Sequence, residues 1–343
     1  MDDRIRELRK RRFFATLAGL GLLLLAIGAG WLLVDAANRA RTAEIDAQAG
    51  PAGGGRVTEM LNAAREHLRA DDLEKAELLL RDAATRAPDD YEVWSLLGET
   101  LLSRGRTREA YEAYAHAASA PAAPVDLEFN AGTVANTAGL TDEALAHYER
   151  ASARRPNDAR FALYLAQIQR KVGDTSAAKA SLVRAANLRP DLAIAWGVLA
   201  DIALQENNLP IARQHIAKAR DLEPDSVQWR LIEARVLRRQ NDPEAAARLL
   251  LAMPDDRLLN DPAAVDEAAT SLAMLRRVDD AASLYLRAAD RLAQNAEVNY
   301  KAAMMLRRAG RTDDALVLAQ VAAGLGSEPA RELVSELRAA VQD

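Results

Sequence analysis

The sequence predicts an all-α chain: one apolar membrane-spanning helix, then a solenoid of about eight helix-turn-helix repeats, then a C-terminal capping helix. Three observations predict it. Related phrases recur at a fixed spacing: LTDEALAHYERASARRP at 140–156, DTSAAKASLVRAANLRP at 174–190 and NLPIARQHIAKARDLEP at 208–224 align without gaps at a period of 34 residues. A fixed period of that length marks a stacked array, in which each unit buries its apolar face against its neighbours. Half of the 343 residues are apolar but only 4% are aromatic, so alanine and leucine carry the burial, as closely packed helices require. Finally, Phe13 to Val34 runs for 22 residues without a charge, about 33 Å as a helix, enough to cross a hydrocarbon core of about 30 Å.

Residues 1–12 hold Arg4, Arg6, Arg9, Lys10, Arg11 and Arg12, whereas the stretch just after the span holds Arg39 and Arg41. This excess predicts a cytoplasmic N-terminus, a transmembrane helix over 13–34 and a periplasmic or otherwise extracytoplasmic remainder. A cleaved signal peptide, with Val34-Asp35-Ala36 as its small-residue site, is the competing reading; its apolar region would ordinarily be shorter, about 7–15 residues. Ala15 with Gly19 and Ala26 with Gly30 give small-residue spacings through which two such spans could self-associate, and Trp31 suits an interfacial anchor. Residues 35–55 form a juxtamembrane segment and tether, broken by the glycines and proline of AEIDAQAGPAGGG at 43–55. The folded array is expected over 56–328.

Within each unit apolar residues recur at three and four, giving two amphipathic helices joined by a short polar turn. In RADDLEKAELLLRDAATRAPDD, Asp71 and Asp72 are placed to cap the second helix, Ala76, Leu80 and Ala83 form its buried stripe, and Pro88 follows its end. Units fall near 57–90, 91–124, 125–158, 159–192, 193–226 and 227–260, then, after a one-residue slip, 262–295 and 296–328. The sixth departs from the pattern: Met253 stands where alanine is usual, and MPDDRLLNDP replaces the proline turn, so a bent junction or altered stacking is expected there. Residues 329–343 read as the helix that covers the last repeat.

These features resemble the tetratricopeptide repeat, whose pattern is W-x2-L-G-x2-Y … A-x3-F … A … P. Trp94, Leu97, Gly98, Ala110, Tyr114 and Ala117 fall on its positions; so do Trp196, Leu199, Ala212, Ile216, Ala219 and Pro224, and Phe129, Gly132, Gly139, Ala144, Tyr148, Ala151 and Pro156. The resemblance implies a right-handed superhelix whose concave surface, lined by the first helix of each unit, binds extended peptides or partner helices. It implies a candidate peptide-binding groove at Asn130, Arg160, Tyr164, Gln167, Arg170 and Lys171. Asn130 and Arg160 match two places that hold a peptide backbone or terminal carboxylate in the family; Tyr164 stands where a second basic residue would be, and Ser95 and Glu99 replace lysine and asparagine in the preceding unit. Arg235, Arg238, Arg239, Arg307 and Arg308, with Glu92, Glu99, Asp126 and Asp201, would give the groove mixed sign, suited to a partner chosen by local charge pattern.

Other chemistry is argued against residue by residue. A net charge of −5 opposes a phosphate-backbone partner, and the absence of cysteine removes disulfides, thiolate metal sites and cysteine nucleophiles. His67, His116, His147 and His215 each stand alone, without ligand spacing, and read as surface or packing residues. The acidic pairs 71–72, 142–143, 279–280 and 313–314 recur at the start of second helices, where capping and the helix dipole explain them. GPAGGG at 50–55 lacks the lysine and hydroxyl of a phosphate loop, and no G-x-S-x-G is present. The expectation is a non-enzymatic scaffold without cofactor, anchored in a membrane and serving an envelope, secretion or polysaccharide assembly. The alternatives are a cytosol-facing import or chaperone receptor, or the regulatory subunit of a separately encoded enzyme.

Overall fold

The structure, a computed structural model, describes residues 54–342. Consecutive helices pair through short turns: α1 (Gly54–Arg69) with α2 (Leu73–Arg86), α3 (Tyr91–Ser103) with α4 (Thr107–Ser119), α5 (Val125–Thr137) with α6 (Thr141–Arg154), and α7 (Ala159–Lys171) with α8 (Thr175–Leu188). The series continues with α9 (Ala193–Gln205) and α10 (Leu209–Leu222), then α11 (Val227–Arg239) and α12 (Pro243–Leu251). After a one-turn α13 (Asp255–Leu258) come α14 (Pro262–Met274) with α15 (Val278–Arg291), α16 (Ala296–Arg308) with α17 (Thr312–Gly324), and a last helix, α18 (Glu328–Gln342). The chain divides between Ala123 and Pro124 into two compact units, the first holding α1–α4 and the second α5–α18.

The repeating alanines explain how each pair closes. Ala76, Ala110, Ala144, Ala178, Ala212, Ala281 and Ala315 are all fully buried, as are Ala83, Ala117, Ala151, Ala185, Ala219, Ala288 and Ala322 two turns further along. A methyl at these crossings lets the two backbones approach; a longer side chain would force them apart or off their rotamers. In the second unit each second helix also packs on the next first helix, and the first helices α9, α11 and α14 touch in succession. Successive second helices do not approach comparably, so the first helices form the inner wall of that unit.

The turn between the helices of a pair is the same throughout. The second residue after the first helix adopts positive φ, and the next N–H bonds back to a carbonyl five residues earlier, as in Arg106 to Leu101 (2.9 Å) and Arg311 to Leu306 (2.9 Å). Gly105, Gly139, Gly173 and Gly310 occupy the position, as do Asp71, Asn207, Asn241 and, at φ 64°, Arg276. This is the arrangement that satisfies a helix's last carbonyls, and glycine adopts it without steric cost.

The sixth pair is irregular. Its second helix, α12, ends after 9 residues where the other second helices run to 13 or 14. Pro254 then opens α13, and Met253, Leu258 and Leu259 turn inward to join a core with Leu250, Val265 and Leu272.

Two expectations are corrected. No helix among the described residues is long and apolar enough to cross a membrane, so the transmembrane helix, the single-pass topology and the extracytoplasmic, periplasmic placement are withdrawn. The longest described helix has 16 residues, whereas spanning takes about 20 predominantly apolar residues. Phe13–Val34, with the self-association assigned to it, lies outside the described residues. Second, the acidic pairs do not all cap. Asp72 does, accepting from Lys75 N at 3.4 Å, but Leu140, Arg277 and Arg311 stand at the cap of α6, α15 and α17 without a side-chain bond. Asp142, Glu143, Asp279, Asp280, Asp313 and Asp314 lie inside the first turn, where their charge meets the positive helix end.

Candidate functional site

The groove candidates lie on neighbouring first helices of the second unit: Asn130 on α5, and Arg160, Tyr164, Gln167, Arg170 and Lys171 on α7. Arg155 to Asp126 (2.9 Å) and Arg160 to Asp126 (3.5 Å) join the N-terminal ends of these helices, and Lys171 Nζ reaches Asn136 Oδ1 at 2.8 Å at their C-terminal ends. The helices therefore run side by side in one register, which sets Asn130 level with Tyr164 and Thr133 level with Gln167.

The charged candidates are already engaged. Arg160 donates to its own helix cap, Asp158, at 2.8 and 3.1 Å, and its guanidinium lies 5.6 Å from the centre of the Phe161 ring. The bond to Asp158 raises the Arg160 pKa, and although burial pushes the Asp158 carboxyl up, its bonds to Arg160 bring it below the ordinary range. Arg160 is thus a cap partner and is not held out to receive a terminal carboxylate. Arg170 reaches Asp201 on α9 at 3.0 Å.

The same holds for the wider set. Arg65 pairs with Glu92 (3.2 Å), Arg238 and Arg235 with Glu267, and Arg307 with Glu336 (2.5 Å), while Arg239 donates to the Leu204 carbonyl (3.3 Å). Apart from Arg308, the basic members of the mixed-sign set are thus engaged, most of them in bridges between successive first helices. Such exposed pairs contribute about 0–1 kcal/mol each. They neutralise the wall at little cost and can exchange for a partner's charges.

Besides the Tyr164 hydroxyl, the side-chain amides of Asn130 and Gln167 are left without a hydrogen-bond partner among the described residues. Between them stands Tyr164, 37% exposed, its ring edge-on to Phe129 at 4.8 Å. Beneath lie Phe161, fully buried and stacked on Phe129 at 5.2 Å, and Tyr148, whose hydroxyl meets Thr133 Oγ1 at 3.1 Å. Burial pushes the Tyr148 phenol up to about 12, so it stays protonated at neutral pH. This aromatic floor was not anticipated as a unit. Its signal was present, because in a chain with 4% aromatic residues the two phenylalanines beyond residue 14 are Phe129 and Phe161.

A second missed feature is a set of buried carboxylates. Glu77 on α2 accepts from Arg81 (2.7 Å) and Arg106 (2.7 Å), and also pairs with Arg104. Glu128 on α5 accepts from Arg150 (3.1 Å) and meets His147 Nδ1 at 2.7 Å. Burial lowers the His147 pKa despite that carboxylate, leaving the imidazole neutral at neutral pH and the cluster a packing device within one helix pair. Among the described residues no group of three or more histidine or carboxylate side chains is placed to hold a metal ion.

Family models described as tetratricopeptide repeat match residues 61–124, 135–202 and 198–257. No curated protein matches the chain by sequence. Among solved structures, the hetero-tetramer of Cut9 and Hcn1 from the APC/C aligns over 81% of this chain and 55% of that one, at 13% identity and a TM-score of 0.51. The pilF protein of Pseudomonas aeruginosa aligns over 65% of this chain and 99% of its own, at 17% identity and a TM-score of 0.49. YrrB, described as a TPR protein with an unusual peptide-binding site, aligns over 53% and 97%, at 20% identity and a TM-score of 0.45. At 13% identity the likeness to the Cut9–Hcn1 structure is one of fold.

Proposed function

Since the chain belongs to the tetratricopeptide repeat family and is a protein-interaction scaffold, we propose that the inner face of α5 and α7 holds an extended segment of a partner protein. The observation that carries this reading is the pair of unpartnered amides, Asn130 and Gln167, flanking a half-exposed tyrosine in a wall whose charges are otherwise mostly bridged. A side-chain amide offers a donor and an acceptor together, the complement of a peptide unit, and the Tyr164 ring supplies apolar contact beside it. With Arg160 bound to Asp158 and Asp126, the face selects an internal, uncharged stretch over a chain terminus. The role in an envelope, secretion or polysaccharide assembly rested on the membrane anchor, and no observation among the described residues supports it.

The test is a photo-crosslinking amino acid at position 164 in the full-length chain, with and without Asn130→Ala and Gln167→Ala together. A partner crosslinked by the intact face and lost by about tenfold from the double variant supports the reading. Equal crosslinking by both would remove these amides from the binding surface.

A further inference from the structure

A different stretch of the inner wall carries an unexplained strain. Of the eight turns within helix pairs, seven place glycine, asparagine or aspartate at the positive-φ position; the seventh pair places Arg276 there, at φ 64°. The turn keeps the hydrogen bond of the others, Arg277 N to the Leu272 carbonyl at 3.0 Å, so the backbone demands this conformation and the arginine accepts it. A long side chain in the left-handed region is disfavoured, and such outliers persist where another requirement outweighs the strain. Nothing inside the fold supplies one: the Arg276 side chain is exposed and has no polar or ionic partner among the described residues.

What surrounds it supplies a reason. Met274, at the end of α14, is 47% exposed, and Met304, on α16, is 44% exposed. Lys301 of α16 reaches Asp266 of α14 at 3.0 Å, so these first helices lie side by side with an offset of 35 residues. That offset sets Arg308 level with residue 273 and Met304 one turn before it. Met274 at the end of α14, Arg276 in the turn after it, and Met304 and Arg308 in the C-terminal half of α16 therefore lie at the same end of the two helices. Arg308 is exposed and, like Arg276, lacks a partner among the described residues, whereas Arg277 and Arg307 beside them are paired with Asp280 and Glu336. Asp266 of α14 and Glu297 of α16 are both paired with Lys301.

We infer that the groove between α14 and α16 docks an acidic amphipathic helix of a partner protein, its apolar stripe on Met274 and Met304 and its carboxylates on Arg276 and Arg308. Two helices running side by side leave a trough that accepts a third helix. Unbranched methionine adapts to an incoming apolar surface, and two unpaired guanidiniums select negative charge. Arginine at the strained turn is explained because glycine there would relax the backbone and remove the charge. This site is separate from the α5–α7 face.

The probe is a fluorescein-labelled synthetic peptide with leucine at i, i+3, i+4 and i+7 and glutamate elsewhere, titrated into the full-length chain by fluorescence anisotropy beside a twin carrying lysine for glutamate. The glutamate peptide is expected to bind saturably and the lysine twin at least about tenfold more weakly. Arg276→Gly and Arg308→Gln should each weaken binding up to about fivefold, and Met274→Gln with Met304→Gln by about tenfold. Arg276→Gly should at the same time raise the thermal midpoint by about 2–4 °C, separating lost binding from lost folding. The Asn130→Ala, Gln167→Ala chain should bind the glutamate peptide unchanged. No binding, equal binding of the two peptides, an Arg276→Gly chain with undiminished affinity, or loss of binding in the Asn130 and Gln167 variant would each overturn the proposal.

Discussion

At Gly197 a hydrogen is all that the neighbouring ring leaves room for: a Cβ on this residue of α9 would lie 2.1 Å from the Trp229 ring of α11. Trp229 is 2% exposed and its indole N–H donates to Glu223 at 2.7 Å, so the ring is fixed at both ends and cannot swing aside cheaply. Gly197→Ala should therefore destabilise the chain by about 1–3 kcal/mol through overpacking, although alanine is the better helix former. Urea denaturation followed by circular dichroism measures it; an unchanged midpoint would mean that the ring gives way. The buried alanines were legible beforehand because their spacing repeats, and the periodicity of burial is written along one helix. The Gly197 contact was not, since it depends on where a ring from another helix comes to rest.

α7 is the element on which the proposed face depends, and its start is held by Asp158, which accepts from Arg160 N at 3.0 Å and pairs with the Arg160 side chain. Burial raises the Asp158 pKa, but the Arg160 bonds outweigh it and the net shift is downward from 3.8. A carboxylate with a depressed folded pKa stabilises the fold above its ordinary value, and the contribution is lost as pH falls below 3.8 through the folded value. Asp158→Asn keeps an equivalent cap oxygen but removes the charge, so stability at neutral pH should fall only slightly and the acid-side loss should shrink; Asp158→Ala should lose about 1 kcal/mol at neutral pH. Hydrogen exchange of the first turn of α7 between pH 3 and 7 reads both effects. An asparagine variant with the same acid-side loss would assign that loss to other carboxylates. Helix starts were foreseen unevenly: Asp72 caps, whereas the acidic pairs of α6, α15 and α17 sit two and three positions past the cap, a displacement that residue type cannot specify.

At the scale of the whole molecule, stability is passed between neighbours. In the second unit α18 seats Leu333 and Leu337, both nearly fully buried, against Ala303, Leu306, Ala315 and Ala319. Ending the chain after Gly326 should expose that cluster and strip hydrogen-exchange protection from α16 and α17 while leaving α7 and α9 protected, because each pair depends on adjacent pairs only. Uniform loss of protection across the unit would show one cooperative core instead. The order of helices, the period and the small-residue crossings were determined by the sequence alone, since each follows from a pattern within a single 34-residue stretch and the array only adds copies. The irregular sixth pair was legible too, in Met253 and the displaced proline. Which groove side chains remain available was decided only by the tertiary structure. Arg160, Arg170, Asn130 and Gln167 look alike as exposed polar positions, and whether one is bridged or unpaired depends on the register between helices about a period apart. That register is set by packing of the buried faces, and no local pattern carries it.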